Sequence, residues 1–240
     1  MPVQAEILKR ARAALEREPR VNLHRYPIRL GYSDGVVTLE GEVEDIAAKK
    51  LALKLAARVP GVAGVVDRLR LHRAVAAGDG LLRDHVGLAL LQEPALEQCM
   101  LRTLLRDRIH TLREAPEDVG NIDVEVREGV VILNGKVPSL SHKRLAGVLV
   151  FWVPEARDVI NDLEVVPDQE DTDEELTEAV RLVLEKDPFV NAHPIRVSTR
   201  NRTVTLEGPV PNEAIKRMVE MDSWYVLGVD EVINHLEVRS

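Results

Sequence analysis

Three stretches of the chain carry the same alternation of apolar and polar positions. They are Gly35-Val36-Val37-Thr38-Leu39-Glu40-Gly41, Gly129-Val130-Val131-Ile132-Leu133-Asn134-Gly135 and Arg202-Thr203-Val204-Thr205-Leu206-Glu207-Gly208. Upstream, Ile28 and Leu30 match Ile122 and Val124, and Ile195 and Val197. Beyond the turn, Val37, Leu39 and Val43 match Val131, Leu133 and Val137, and Val204, Leu206 and Val210. A period of two with one apolar face predicts a hairpin whose other face is wet. Asp34-Gly35 suits a two-residue turn because both central positions tolerate positive φ, and Asn201 supplies a weaker version of that chemistry.

Helical spacing flanks each hairpin. Ile7, Leu8, Ala11, Ala14 and Leu15 precede the first, and Leu176, Val180, Val183 and Leu184 the third; Pro19 and Pro188 bar further helix. Thr172 and Glu175 form a capping box. A second helix follows, with Leu51, Leu55 and Val59 matched by Leu145, Leu149 and Val153, and by Met218, the exception Asp222, and Val226. A last strand, Val65 to Leu71 in the first copy, closes an α-β-β-α-β unit. Asp67, Asn161 and Asn234 each lie 26 residues after Gly41, Gly135 and Gly208, and Leu69, Leu163 and Leu236 each lie 28 after. A spacing held three times marks a tandem repeat, with modules at 1–76, 79–167 and 168–240.

The second copy is longer. Pro94 lies 41 residues before Gly135, whereas Pro19 lies 22 before Gly41 and Pro188 lies 20 before Gly208. The extra material, about 96–121, places Leu101, Leu104, Leu105, Ile109 and Leu112 at helical spacing and predicts an added amphipathic helix. The alternative alignment makes 97–113 the module's own first helix, with 81–93 as the extra piece.

The succession of helix, Asp/Glu-Pro, alternating strand, Gly-Val-Val-x-Leu-x-Gly-x-Val, helix, Gly-Val and Val-x-Asn-x-Leu resembles the BON domain, named for bacterial osmotic-shock and nodulation proteins. Module one carries it from Gly35 to Val43, at Pro60-Gly61-Val62 and at Asp67-x-Leu69. Module three carries it at Gly208, Gly228-Val229 and Asn234-x-Leu236. Module two has Pro154-Glu155-Ala156 in place of the Gly-Val turn. The resemblance implies an α+β fold of three tandem modules, each a three-stranded mixed sheet with two helices on one face, the second with a helical insert. It also implies a non-catalytic binding or scaffold role, stress- or envelope-related, toward a protein partner, a solute or an anionic surface. Peripheral phospholipid binding and ion or small-solute sensing are the alternatives.

Composition narrows the chemistry. The 240 residues are 45% hydrophobic and 30% charged, enough for packed cores. Cys99 is the single cysteine, so no intrachain disulfide and no cysteine metal cage can form. The seven histidines show no metal-ligand spacing, and no acid, base and nucleophile converge; no catalytic residue, metal or cofactor is expected. The acidic run 168–175 lacks the glycine and ligand periodicity of a calcium loop and suits a solvated linker and helix cap. No run reaches ~18 apolar residues, and the first residues lack an export pattern, so a cytoplasmic location is expected, or a periplasmic one if a leader has been removed.

Gly41, Gly135 and Gly208 are expected to be structural, at a bulge or close approach. Asp67, Asn161 and Asn234 are expected to satisfy turn backbone groups. Four of the seven aromatic residues share one repeat position, Phe151-Trp152 and Trp224-Tyr225, where module one has Ala57-Arg58. They suit either core filling with cover of a module junction, or exposed anchors for a partner or membrane interface. Arg29, Arg68 and Arg70 alternate onto the predicted open sheet face of module one, a candidate patch for a phospholipid or other anionic surface. Charge runs from +5 over 1–78 through −5 over 79–167 to −8 over 168–240, for a net −8; no nucleic-acid partner is expected. The predicted insert helix is a candidate homo-oligomer contact.

Overall fold

The computed structural model describes residues 2–73, 78–105, 108–116 and 119–239. The chain divides into two compact units, Met1–Ala74 and Val75–Ser240.

In the first unit, α1 (Pro2–Glu16) buries Ile7, Ala11 and Leu15, one residue per helical turn, and stops short of Pro19. Strands β1 (Ile28–Ser33) and β2 (Val36–Val43) form the antiparallel hairpin, turning at Asp34 and Gly35, both with positive φ. Helix α2 (Ile46–Ala57) is capped by the Asp45 carboxylate, which accepts from the Ala48 N–H. It returns the chain to β3 (Gly64–Leu71), parallel to β2. The sheet order is β1-β2-β3, and Val37, Leu39, Leu69 and Leu71 are buried. At Gly41 a Cβ would lie 2.6 Å from the Pro27 carbonyl oxygen, and at Gly135 and Gly208 2.2 and 2.3 Å from those of Asn121 and Pro194. Only glycine fits this crossing, which occurs three times.

The second unit opens with α3 (Asp79–Leu91), whose Leu82, Val86 and Leu90 are buried in the spacing of Ile7, Ala11 and Leu15. This helix, close to the 81–93 reading, is the module's own first helix. A 3-10 turn at Pro94–Leu96 leads into β4 (Met100–Leu105) and β5 (Arg108–Arg113), an antiparallel pair. The insert is therefore a hairpin and not the predicted helix; residues 106–107 and 117–118 of this stretch lie outside the described residues. Leu101 and Thr103 are buried, at period two, and β4 finds a parallel partner in β6 (Asn121–Arg127). Leucines at helical spacing are also compatible with a strand, and the ladder along β6 decides between them. No insert helix is available as an oligomer contact, and Leu101 packs in the module's own core.

Beyond β6 the repeat resumes with β7 (Val130–Val137), α4 (Leu140–Phe151), β8 (Asp158–Asn161) and β9 (Glu164–Val165). The sheet runs β5-β4-β6-β7-β8, with β9 also on β7, six strands where three are expected. Then α5 (Asp173–Lys186), β10 (Arg196–Arg200), β11 (Thr203–Val210), α6 (Glu213–Tyr225) and β12 (Glu231–Val238) form a third copy, of order β10-β11-β12. In this unit α4 packs against both α5 and α6, so the helical layers of modules two and three meet.

Candidate functional site

Each module is pinned by polar side chains at repeat positions. Asn161 donates from Nδ2 to the Lys143 carbonyl at 2.7 Å, and Asn234 to the Lys216 carbonyl at 3.3 Å, joining last strand to second helix. In module one Asp67 cannot donate; instead the side chain of Lys49, at the same repeat position, pairs with it at 2.9 Å and also reaches the Leu69 carbonyl. Asp67 and Asn234 also accept from the Leu69 and Leu236 N–H groups. Two further carboxylates hold the hairpin turns. Asp79 accepts from the N–H groups of Glu128 and Gly129, and Asp173 from those of Asn201 and Arg202. Each lies 15 residues before its proline, a correspondence that could have been found in the sequence.

Phe151, Trp152 and Tyr225 make contacts between modules two and three. Trp224 is 1% exposed, which leaves it no surface for an external anchor. Phe151 stacks on Tyr225 with ring centroids 4.9 Å apart and 15° between planes. The Trp152 indole N–H donates to Asp222 Oδ1 at 2.8 Å. Around them, Lys186 reaches Glu93 at 2.7 Å, and the buried Arg144 donates from Nε to the Leu227 carbonyl at 2.9 Å. Arg144 also pairs with Asp171, which in turn pairs with Arg202. The burial of Arg144 has no mark in the sequence, where it resembles any solvated helix cation. Asp222 does have a mark, as the one acid in an apolar stripe.

Asp222 is 3% exposed, and its Oδ2 has no hydrogen-bond donor. Loss of hydration pushes its pKa up to about 8, against the lowering pull of the Trp152 hydrogen bond and with the added repulsion of Asp187, whose carboxylate faces it. The neutral acid can therefore donate to Asp187, while Asp187 Oδ1 accepts from the Phe189 N–H at 2.8 Å.

A cleft of about 480 Å³ opens beside this junction, lined by His85, Gln92, Glu93, Trp152, Pro154 and Lys186 among others. Glu93 and Lys186 neutralise each other, and His85 lies 3.2 Å from Glu155. No serine, threonine or cysteine is among the residues that line it. Cys99 is fully buried, and burial pushes its thiol pKa up, against the lowering effect of Arg113. Such a thiol is a poor nucleophile. Among the described residues no group of three His, Cys, Asp or Glu side chains could hold a metal ion, and no helix is long and apolar enough to cross a membrane.

On the open sheet face of module one, Arg29 and Arg68 are exposed and Arg70 is half-buried. They alternate with acids: Arg29 pairs with Glu40 at 2.9 Å, Glu40 stands opposite Arg68 and Glu42 opposite Arg70. His72 lies 3.0 Å from Glu42. The face is a charge ladder of both signs.

Against known families, the BON domain profile matches residues 4–73, 101–167 and 172–240. The chain belongs to the BON domain family. The second BON match begins at Leu101, within β4, so α3 lies outside it although it holds the place of α1 and α5. BON domains are generally non-catalytic binding modules, which supports a binding or scaffold role for the tandem array. Comparison with curated proteins gives no match. Among solved structures, the chain is similar to the C-terminal domain of CdsD, a structural protein of the type III secretion system of Chlamydia trachomatis, at 15% identity over 99% of each chain and a TM-score of 0.25. The PrgH periplasmic domain is similar at 11% identity over 90% of this chain and 96% of its own, with a TM-score of 0.23. At these scores neither likeness carries an argument about this BON protein.

Proposed function

We propose that this protein is a non-catalytic scaffold whose second and third BON modules work as one rigid platform for a protein partner. The observation that carries the reading is the junction. Phe151 on Tyr225, Trp152 on Asp222 and Arg144 on the Leu227 carbonyl join modules two and three, so the sheet faces of these modules remain for a partner. Ile160 and Ile233 are exposed on those faces, near 39% each. A rigid platform loses little conformational freedom on binding, which favours affinity from a modest surface. The osmotic-shock and nodulation proteins that give the family its name suggest a stress- or envelope-related setting.

Affinity capture from the native cell tests the proposal, with the full chain compared against Ile160→Asp and Ile233→Asp. A partner retained by the wild type and lost from either variant supports it; no retention above a blank matrix defeats it. Phospholipid association is the weaker reading, because Arg29, Arg68 and Arg70 are interleaved with Glu40 and Glu42. Co-sedimentation with anionic vesicles that fades with salt would favour it instead.

A further inference from the structure

Module two holds an internal example of what its sheet edge accepts. The outer edge of β6 is filled by β4, in the parallel register Met100↔Asn121 to Thr103↔Val124. Leu101 and Thr103 turn inward and are buried, while Arg102 on the open face forks onto Asp123 at 2.5 and 2.7 Å. Strands β1 and β10 occupy the repeat position of β6, and each is the end strand of its sheet; among the described residues no strand pairs with their outer edges. An unpaired edge is a row of backbone donors and acceptors that an extended segment can complete.

Charge separates the two edges. The counterpart of Asp123 is Arg29 in β1 and Arg196 in β10. Arg29 is already neutralised by Glu40. Arg196 and Arg200 are exposed on the same face of β10, with Ser198 between them; Glu207 stands opposite Arg196 as Glu40 does opposite Arg29, but no ion pair to either arginine is seen among the described residues. On the helix side, Arg181 donates to the Val197 carbonyl at 3.3 Å. Val197 is the counterpart of Val124, which pairs with Thr103 of β4, so here a side chain stands where module two has a strand. Gly87 holds the position of Arg181 in module two, and a Cβ there would lie 2.8 Å from the Leu112 side chain of the hairpin. A long arginine can swing aside, and Glu178 already holds another of its nitrogens at 2.6 Å.

We propose that the outer edge of β10 is a strand-addition site for an extended segment of a protein partner in which carboxylates alternate with apolar side chains. The segment runs parallel to β10. One carboxylate forks onto Arg196, as Arg102 does onto Asp123 with the charges exchanged, and a second, four residues on, meets Arg200. The inference rests on the reading of the protein as a binder of protein partners and names the chemistry of the partner.

The probe is a fluorescent peptide with the sequence of residues 100–106 carrying Arg102→Glu and Arg106→Glu, measured by anisotropy against the full chain at low salt. The unmodified 100–106 peptide is the control. The acidic peptide should bind at least about tenfold more tightly than the control, a difference of about 1.4 kcal/mol. A chain with Arg196→Glu should reverse that order. Thr199→Pro, which blocks ladder formation on β10, should abolish binding of both while circular dichroism reports whether the fold survives. Equal binding of the two peptides, or an order unchanged by Arg196→Glu, overturns the site. Retention of a cellular partner that Arg196→Glu does not disturb would overturn strand addition yet leave the protein-binding reading standing. No cellular partner at all would remove that reading itself.

Discussion

Helices α2 and α4 hold the same place in their modules and meet different surroundings. α2 buries a face of small residues, Ala47, Ala48, Ala52 and Ala56, and ends in solvent at Ala57-Arg58. α4 is buried without a break from Arg144 to Val150 and ends at Phe151-Trp152, against module three. A helix buried all round needs a second layer over its outer face. The difference teaches that one fold can stand as a separate unit or as half of a pair while its core positions are kept.

The largest effect is expected at the aromatic position itself. Trp224→Ala should cost about 3–5 kcal/mol, because a buried ring leaves a cavity that packed neighbours cannot close. The reciprocal change Ala57→Trp, on an exposed helix end, should move stability by less than about 0.5 kcal/mol. Urea midpoints of the two variants measure the contrast; equal losses would show that the position carries the same burden in both units.

The second prediction concerns Asp222, where modules one and two have Leu55 and Leu149. Its folded pKa, about 8, lies above the ordinary value of 3.8, so between those limits the native state binds the extra proton. Stability should then fall as pH rises from about 4 to about 8 and level off above, by on the order of 3 kcal/mol between pH 5 and 8 for this group. Asp222→Asn keeps an acceptor for Trp152 and a donor for Asp187 without the titration, and should flatten that part of the curve. Denaturant melts across the range for both proteins decide it; parallel curves would show that Asp222 does not titrate there.

Next comes the buried cation. Lys50, Arg144 and Arg217 share one repeat position, and only Arg144 is buried. Arg144→Met should cost about 2–3 kcal/mol, below the range for an isolated buried pair because Asp171 keeps Arg202. Lys50→Met should cost under about 1 kcal/mol. A matching loss in both would mean that the contact with Leu227 and Asp171 adds nothing beyond an ordinary surface charge.

That trio also explains how far the sequence could be read. The repeat, the glycine crossings at Gly41, Gly135 and Gly208 and the hairpins follow from local periodicity, which the fold obeys closely. The insert did not, because Leu101, Leu104 and Leu105 follow helical spacing and the contact that overrides it is the edge of β6, reached only in three dimensions. The junction was half legible. Paired aromatics mark one repeat position at the ends of α4 and α6, and Asp222 breaks an apolar stripe. Arg144 looked like its two solvated counterparts, since a cation buried by a neighbouring module has the same local sequence as one in water.

The smallest effect is expected where the two aromatic pairs touch. Phe151 and Tyr225 are both half-buried, and their near-parallel stack at 4.9 Å joins the ends of α4 and α6. Phe151→Leu keeps most of the apolar area while removing the ring, so the loss is the stacking preference, about 0.5–1.5 kcal/mol. A double-mutant cycle with Tyr225→Leu isolates that part, because each single change also alters packing within its own module. A coupling near zero would mean that the rings lie together only because Arg144, Trp152 and Lys186 bring the helices there. A coupling in the expected range would make the stack a contributor to the platform, and its absence from Ala57-Arg58 part of the reason that module one stands as its own unit.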